Sequence, residues 1–157
     1  MDKSLLKLIV MLSAFWGVLF GILTAIPYVG QIAFWILLCF AAVLVMTFLI
    51  RVKLLDIFTV NESVVIGGII GFVSFMAFCI VYVPIIVILL KVFHYSDNYF
   101  LSIMLGNANI FIILLLSVFM AILSATVNGF TGFITFYVRE FLKNLDKNEE
   151  KRRNIFK

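Results

Sequence analysis

Apolar residues in this chain come in long uninterrupted runs separated by short polar stretches. They show neither the strict alternation of a half-buried strand nor the narrow stripe of a helix lying on a soluble core. The first run goes from about Leu8 to Ile26, after Lys3 and Lys7. A signal peptide also starts with a basic lead and an apolar stretch, but its apolar part spans only about 7–15 residues. Thr24-Ala25-Ile26-Pro27-Tyr28 is no small-x-small cleavage site, so the run is read as a retained helix. The stretch Pro27-Tyr28-Val29-Gly30-Gln31 breaks it as a short uncharged turn, with Tyr28 suited to the membrane interface. A second run follows from about Ile32 to Ile50, with Trp35 near its start and Arg51 and Lys53 closing it.

Arg51 to Ser63 is the first polar loop. Thr59 followed three residues later by Glu62 fits a capping box, which starts the third helix near Val60. Its apolar run from Val64 to Leu90 is about 40 Å long at 1.5 Å per residue, against a hydrocarbon core of about 30 Å. Pro84 in its last third predicts a kink or tilt. A second polar loop runs from Lys91 to about Asn98, and no residue from Asn98 to Val138 is charged. Two short crossings would have to break near Gly106-Asn107-Ala108-Asn109, and the piece before that break, Tyr99 to Leu105, is too short to cross a bilayer. It is read as interfacial, with helix four over Ile110 to Val138. Phe141, Leu142 and Leu145 share one helical face and carry that helix an amphipathic turn or two into the headgroups. After Asp146 the composition fits a solvated, disordered end. The expected fold is all-α, with four transmembrane helices (8–26, 32–50, 64–90 and 110–138) in two hairpins. They form a domain over 1–145, with a basic tail over 146–157.

Composition agrees with the pattern. Apolar residues make up 65% of the 157 and charged ones 13%, where soluble domains have about 45–50% and about 25%. A water-soluble globule of this size needs a polar surface that this chain does not supply. The net charge of +4 is unevenly placed, with seven of the twelve Lys and Arg residues between Arg139 and Lys157. Beside a membrane span, those residues meet anionic headgroups rather than nucleic acid. Arg139, Lys143, Lys147, Lys151, Arg152 and Arg153 are the expected headgroup contacts. With four crossings, the N-terminus, the middle loop and the tail share one side and hold eleven of the twelve basic residues, leaving Lys91 alone on the other. That asymmetry places both termini in the cytosol and makes the helix count even.

Small residues are expected to bring the helices together, since lipid leaves little hydrophobic drive between them. Helix one carries Gly17 and Gly21 at GxxxG spacing, extended by Ala14 and Thr24. Helix three carries Gly67 and Gly71, extended by Ser74, with Gly68 alongside. Helix four carries Ser117, Ala121, Ser124, Asn128, Thr131 and Thr135 at alternating spacings of four and three, widened by Ala125, Gly129 and Gly132. Two readings of this seam compete. In one, it packs helices, its hydroxyls bonding back to the i−4 carbonyl or across an interface. In the other, Ser117, Ser124, Asn128, Thr131 and Thr135 line a polar path. A transport path usually adds an ionisable residue within a span, and none of the four spans has one in its interior.

Chemistry-bearing constellations are not found. Cys39 and Cys79 lie in apolar runs without metal-ligand or CxxC spacing and read as small buried thiols. His94, the sole histidine, sits in a loop beside Lys91 and Asp97 and reads as a surface residue. Glu149 and Glu150 are the sole close acidic pair and belong to the charged end. No catalytic, cofactor or metal residue is assigned, and no cofactor is expected.

Gly17, Gly21 and Ile26-Pro27, the stretch Thr59 to Gly71 with its acid and spaced glycines, and the small residues from Gly129 leading to Arg139 together resemble a loose group of small prokaryotic four-helix, glycine-rich membrane proteins. In that group the third helix opens with a Gly-Asp-Gly-like step, where this chain has Asn61-Glu62-Ser63. The resemblance covers most of the chain and implies no activity. The expected function is non-enzymatic, a packing or scaffold role in the cytoplasmic membrane, with a homo-oligomer formed through the glycine faces. The alternative is a small channel, transporter subunit or holin-like permeabiliser built by oligomerisation.

Overall fold

A computed structural model of the chain describes residues 3–26, 29–52, 54, 59–92 and 109–155. These form an all-α structure of four helices, α1 (Lys3–Thr24), α2 (Val29–Arg51), α3 (Val60–Val92) and α4 (Ile110–Ile155). Each is long and apolar enough to cross a membrane, the arrangement of a multi-pass membrane protein. The helices mostly outrun the apolar stretches that announce them, although α1 stops at Thr24, short of the expected Ile26, and α4 starts at Ile110 as expected. An apolar run marks what lipid can cover, whereas an existing helix extends through polar residues at little cost. The Tyr99–Leu105 segment and the break at 106–108 lie outside the described residues.

Two helix starts follow directly from local chemistry. At α3 the Glu62 N–H donates to Thr59 Oγ1 at 3.3 Å, while the Thr59 N–H donates to Glu62 Oε2 at 3.2 Å. This is the reciprocal box expected from the sequence. Thr59→Ala should lower stability by about 1 kcal/mol, read as a shifted unfolding midpoint in detergent. An unchanged midpoint would mean that packing alone holds this end. At α4, Asn109 takes the same role, its Oδ1 accepting from the Phe111 N–H at 3.4 Å and its carbonyl from the Ile113 N–H at 3.1 Å.

Close contacts of small residues give the register. Gly17 of α1 lies against Ser74 and Ala77 of α3, and Gly21 against Phe78 and Val81, so α1 and α3 run parallel. Gly67 lies against Asn128, Gly71 against Ser124 and Gly132 against Ser63, so α3 and α4 run antiparallel. On α2 the Phe34 ring meets Phe75 and Phe78. One to two turns on, Leu38 and Ala42 bond Asn128, beside Gly67 and Gly71. The α2 helix therefore runs antiparallel to α3. Its Leu37, Val45 and Leu49 join Ile66 and Ile70 of α3 in the fully buried core. At the α1–α2 turn, a Cβ on Gly30 would strike the Thr24 carbonyl, which explains a glycine in the first turn of α2.

These registers bring Lys3, Arg51 and Val60 to one end of the bundle, Lys3 and Val60 level with about Thr135 of α4 and Arg51 with about Arg139. At the other end Thr24 and Ile110 lie level with about Pro84. The α3 helix stays α-helical through Pro84, so its excess length becomes an overhang of about 12 Å over residues 85–92. The α4 helix overhangs the opposite end. The end expected to be disordered after Asp146 is instead helical backbone to Ile155. No Gly or Pro follows Gly132, Glu, Lys, Arg and Leu are good helix formers, and growth from a formed helix needs no nucleus. The overhang from Arg139 to Ile155 is about 25 Å long.

Candidate functional site

Among the described residues, the polar seam of α4 buries Ser124 and Asn128 side by side, and Asn128 is its centre. This residue is fully buried. Its amide nitrogen donates to the Leu38 carbonyl at 2.8 Å and to the Ser124 carbonyl at 3.0 Å, with Ser124 Oγ at 3.3 Å. Its Oδ1 accepts from the Ala42 N–H at 2.8 Å. A backbone carbonyl needs a donor and a backbone N–H needs an acceptor, so these partners also dictate which end of the amide is oxygen. Leu38 and Ala42 are one turn apart, the carbonyl and N–H that a helix ordinarily pairs with each other. Asn128 thus bridges one rung of α2 from the neighbouring helix.

Its neighbours in the seam are spent the same way. The Ser124 hydroxyl donates to the Gly71 carbonyl of α3 at 3.1 Å. The Thr131 hydroxyl is 3.0 Å from the Cys39 carbonyl of α2 and 2.8 Å from its own Val127 carbonyl. Thr135 and Ser117 donate back to Thr131 and Ile113 carbonyls within α4, both at 2.8 Å. Every hydroxyl and amide in the seam is therefore bonded to backbone or to another seam residue. Three of the five side chains reach across to α2 or α3.

Glycines make the approach close enough for those bonds. A Cβ on Gly71 would lie 2.5 Å from the Ser124 carbonyl oxygen and 2.7 Å from Asn128 Cβ. A Cβ on Gly67 or Gly132 would overlap the Asn128 or Ser63 carbonyl, and one on Gly17 the Ser74 carbonyl. Ala121 is fully buried and Ala125 lies over Gly68 in the same interface. Gly129 is in the interface too, but its nearest atom to an added Cβ is 3.4 Å away. The expected glycine faces are thus occupied inside one chain.

Sequence reasoning missed the partner side of the site. The α2 helix carries no obvious motif, yet its backbone at Leu38, Cys39 and Ala42 receives the seam; the adjacent Ala41-Ala42 pair, fully or nearly fully buried, is the signal for it. Also missed was an aromatic cluster on α2 and α3, with Phe75 and Phe78 centroids 5.4 Å apart and Phe78 stacked on Tyr82 at 4.9 Å. With Ile113, Ser117 and Met120 it lines a cavity of about 40 Å³. This is well below the volume of about 150 Å³ of an apolar cavity that holds benzene.

At the basic end, Lys3, Lys7, Lys143 and Lys147 are exposed and Arg139 is half-buried. Lys151, Arg152 and Arg153 lie on helical backbone with side chains outside the described set. Among the described residues no three His, Cys, Asp or Glu side chains gather as a metal site would need, and His94 falls outside them. Compared with known proteins, the chain matches no family model, no curated protein and no solved structure.

Proposed function

We propose that this is a non-enzymatic protein of a prokaryotic cytoplasmic membrane, with both termini cytosolic, acting as a closed, packed scaffold rather than a conduit. The observation that carries the reading is the hydrogen bonding of Asn128 and its seam. Polar groups that would line a path are turned onto the backbone of α2 and α3, and the residues at their centre have no contact with solvent. The gathering of Lys3, Lys7, Arg51 and Arg139 at one end supports the orientation, because anionic lipid and the positive-inside bias both favour that end in the cytosol. The basic residues there hold anionic headgroups.

Two measurements test it. Proteoliposomes should pass ions or a small dye no faster than empty vesicles; faster passage would favour the channel or permeabiliser. Topology is read by single cysteines at Gln31, Thr59, Ser96 and Asn154 in a Cys39→Ala, Cys79→Ala background. An impermeant maleimide on intact cells should mark positions 31 and 96 alone, and labelling at 154 would overturn the four-crossing orientation.

A further inference from the structure

Beyond the end of the bundle, α4 carries apolar side chains that no other described helix covers. Ile134, Val138, Phe141 and Leu145 are spaced four, three and four, the a/d spacing of a coiled coil. All four are exposed, Phe141 at 64% and Leu145 at 45%. Tyr137 and Leu142 flank the stripe and are exposed as well. In that frame Val138 and Leu145 are a positions, Ile134 and Phe141 d positions. From Val138 to Asn148 the a, d, e and g positions are Val138, Phe141, Leu142, Asn144, Leu145 and Asn148. The charged residues of the stretch, Arg139, Glu140, Lys143, Asp146 and Lys147, all fall on b, c and f. Up to Leu145 the a and d positions are apolar with every charge on the outside, as a helix needs in order to pair lengthwise with another, and the seam ends there, since Asn148 takes the next d position and Arg152 the next a.

The occupant follows from where the stripe lies. Ile134 is on the bundle side of the level of Arg51 and Val60, and lipid can cover it. Phe141, Leu142 and Leu145 are past that level. Lipid could cover them too if α4 turned sharply and lay on the surface. Sharp kinks arise at Pro, at Gly or Ser pairs, or at π-bulges. None of those residues occurs between Thr135 and Ile155, and α4 is a single α-helix throughout. A protein partner that covers all three therefore follows the straight α4 to the edge of the apolar span at Leu145 and runs beside it. A second copy in the same membrane presents the same stripe in the same direction, related by a two-fold axis along the membrane normal.

We propose that α4 is a self-association surface, pairing in parallel with α4 of a second copy through Ile134, Val138, Phe141 and Leu145. The proposal rests on the membrane-spanning reading of the bundle and not on its scaffold role. It is tested with the full-length protein in membranes, in the Cys39→Ala, Cys79→Ala background, by oxidative cross-linking of single cysteines. Positions 138, 141 and 145 should give dimers and positions 140, 143 and 147 few or none. Phe141→Glu with Leu145→Glu should lower the dimer fraction, read by energy transfer between labelled copies at fixed protein-to-lipid ratio, by about tenfold or more. Equal cross-linking on both faces, or none on either, would overturn the proposal. So would an environment-sensitive fluorophore at 141 or 145 that reports an apolar setting unchanged on dilution of the protein into excess lipid, since that is docking on the bilayer. Maleimide labelling at 143 in the same samples reports the side of the membrane separately, so a wrong orientation and a failed pairing are told apart.

Discussion

Asn128→Asp is expected to cost about 3 kcal/mol or more of stability, the penalty typical of an ionised side chain inside a span. The substitution keeps the side chain's shape and its acceptor for the Ala42 N–H. It removes both donated hydrogens and turns a carboxylate oxygen toward the Leu38 and Ser124 carbonyls, now 2.8 and 3.0 Å from the amide nitrogen. Asn128→Ala should be milder, about 1–2 kcal/mol, the upper range for interhelical hydrogen bonds in membranes. The Leu38 carbonyl and the Ala42 N–H are one turn apart and can pair with each other once the amide is gone. Equilibrium unfolding in mixed micelles would rank the two. Asp tolerated as well as Asn, or Ala worse than Asp, would mean that Asn128 does not hold α2 to α4 as described.

The glycines are the second large effect, and here neighbours in sequence separate. Gly71→Ala and Gly17→Ala each push a methyl into a backbone carbonyl of the facing helix. Backbone cannot swing aside as a side-chain tip does, so helices must part; about 1–3 kcal/mol is the usual cost of such overpacking. Parting α3 from α4 also lengthens the Ser124–Gly71 bond. Gly68→Ala should instead be neutral or slightly stabilising. The nearest atom to its added Cβ is the Ala125 carbonyl oxygen at 3.6 Å, and alanine gains up to about 1 kcal/mol of helix propensity. The same unfolding assay decides, and a Gly68→Ala loss as large as that of Gly71→Ala would contradict the register assigned to α3 and α4.

Much of the frame was legible in the chain because it depends on local or bulk properties. The long uncharged runs demand lipid, and the Thr59–Glu62 pair marks a helix start whatever surrounds it. The spacing of Ser124, Asn128, Thr131 and Gly132 puts them on one face of any helix. The end after Asp146 was misread for a related reason. High charge disfavours a packed core, but residues 147–155 need no core while they prolong a helix already nucleated inside the bundle.

The sequence by itself determined that there are four long apolar helices, where α3 begins, and which face of α4 is small and polar. Each of these is a property of residues close together along the chain. Only the tertiary structure decided what that face meets, that Asn128 bridges Leu38 and Ala42 some ninety positions away, and that Gly67 and Gly71 are pressed against backbone while Gly68 is not. Those outcomes turn on ångström-scale distances between helix axes and on their relative rotation. Many pairs of glycine-bearing faces would satisfy the same composition, and the contacts of all four helices together select one.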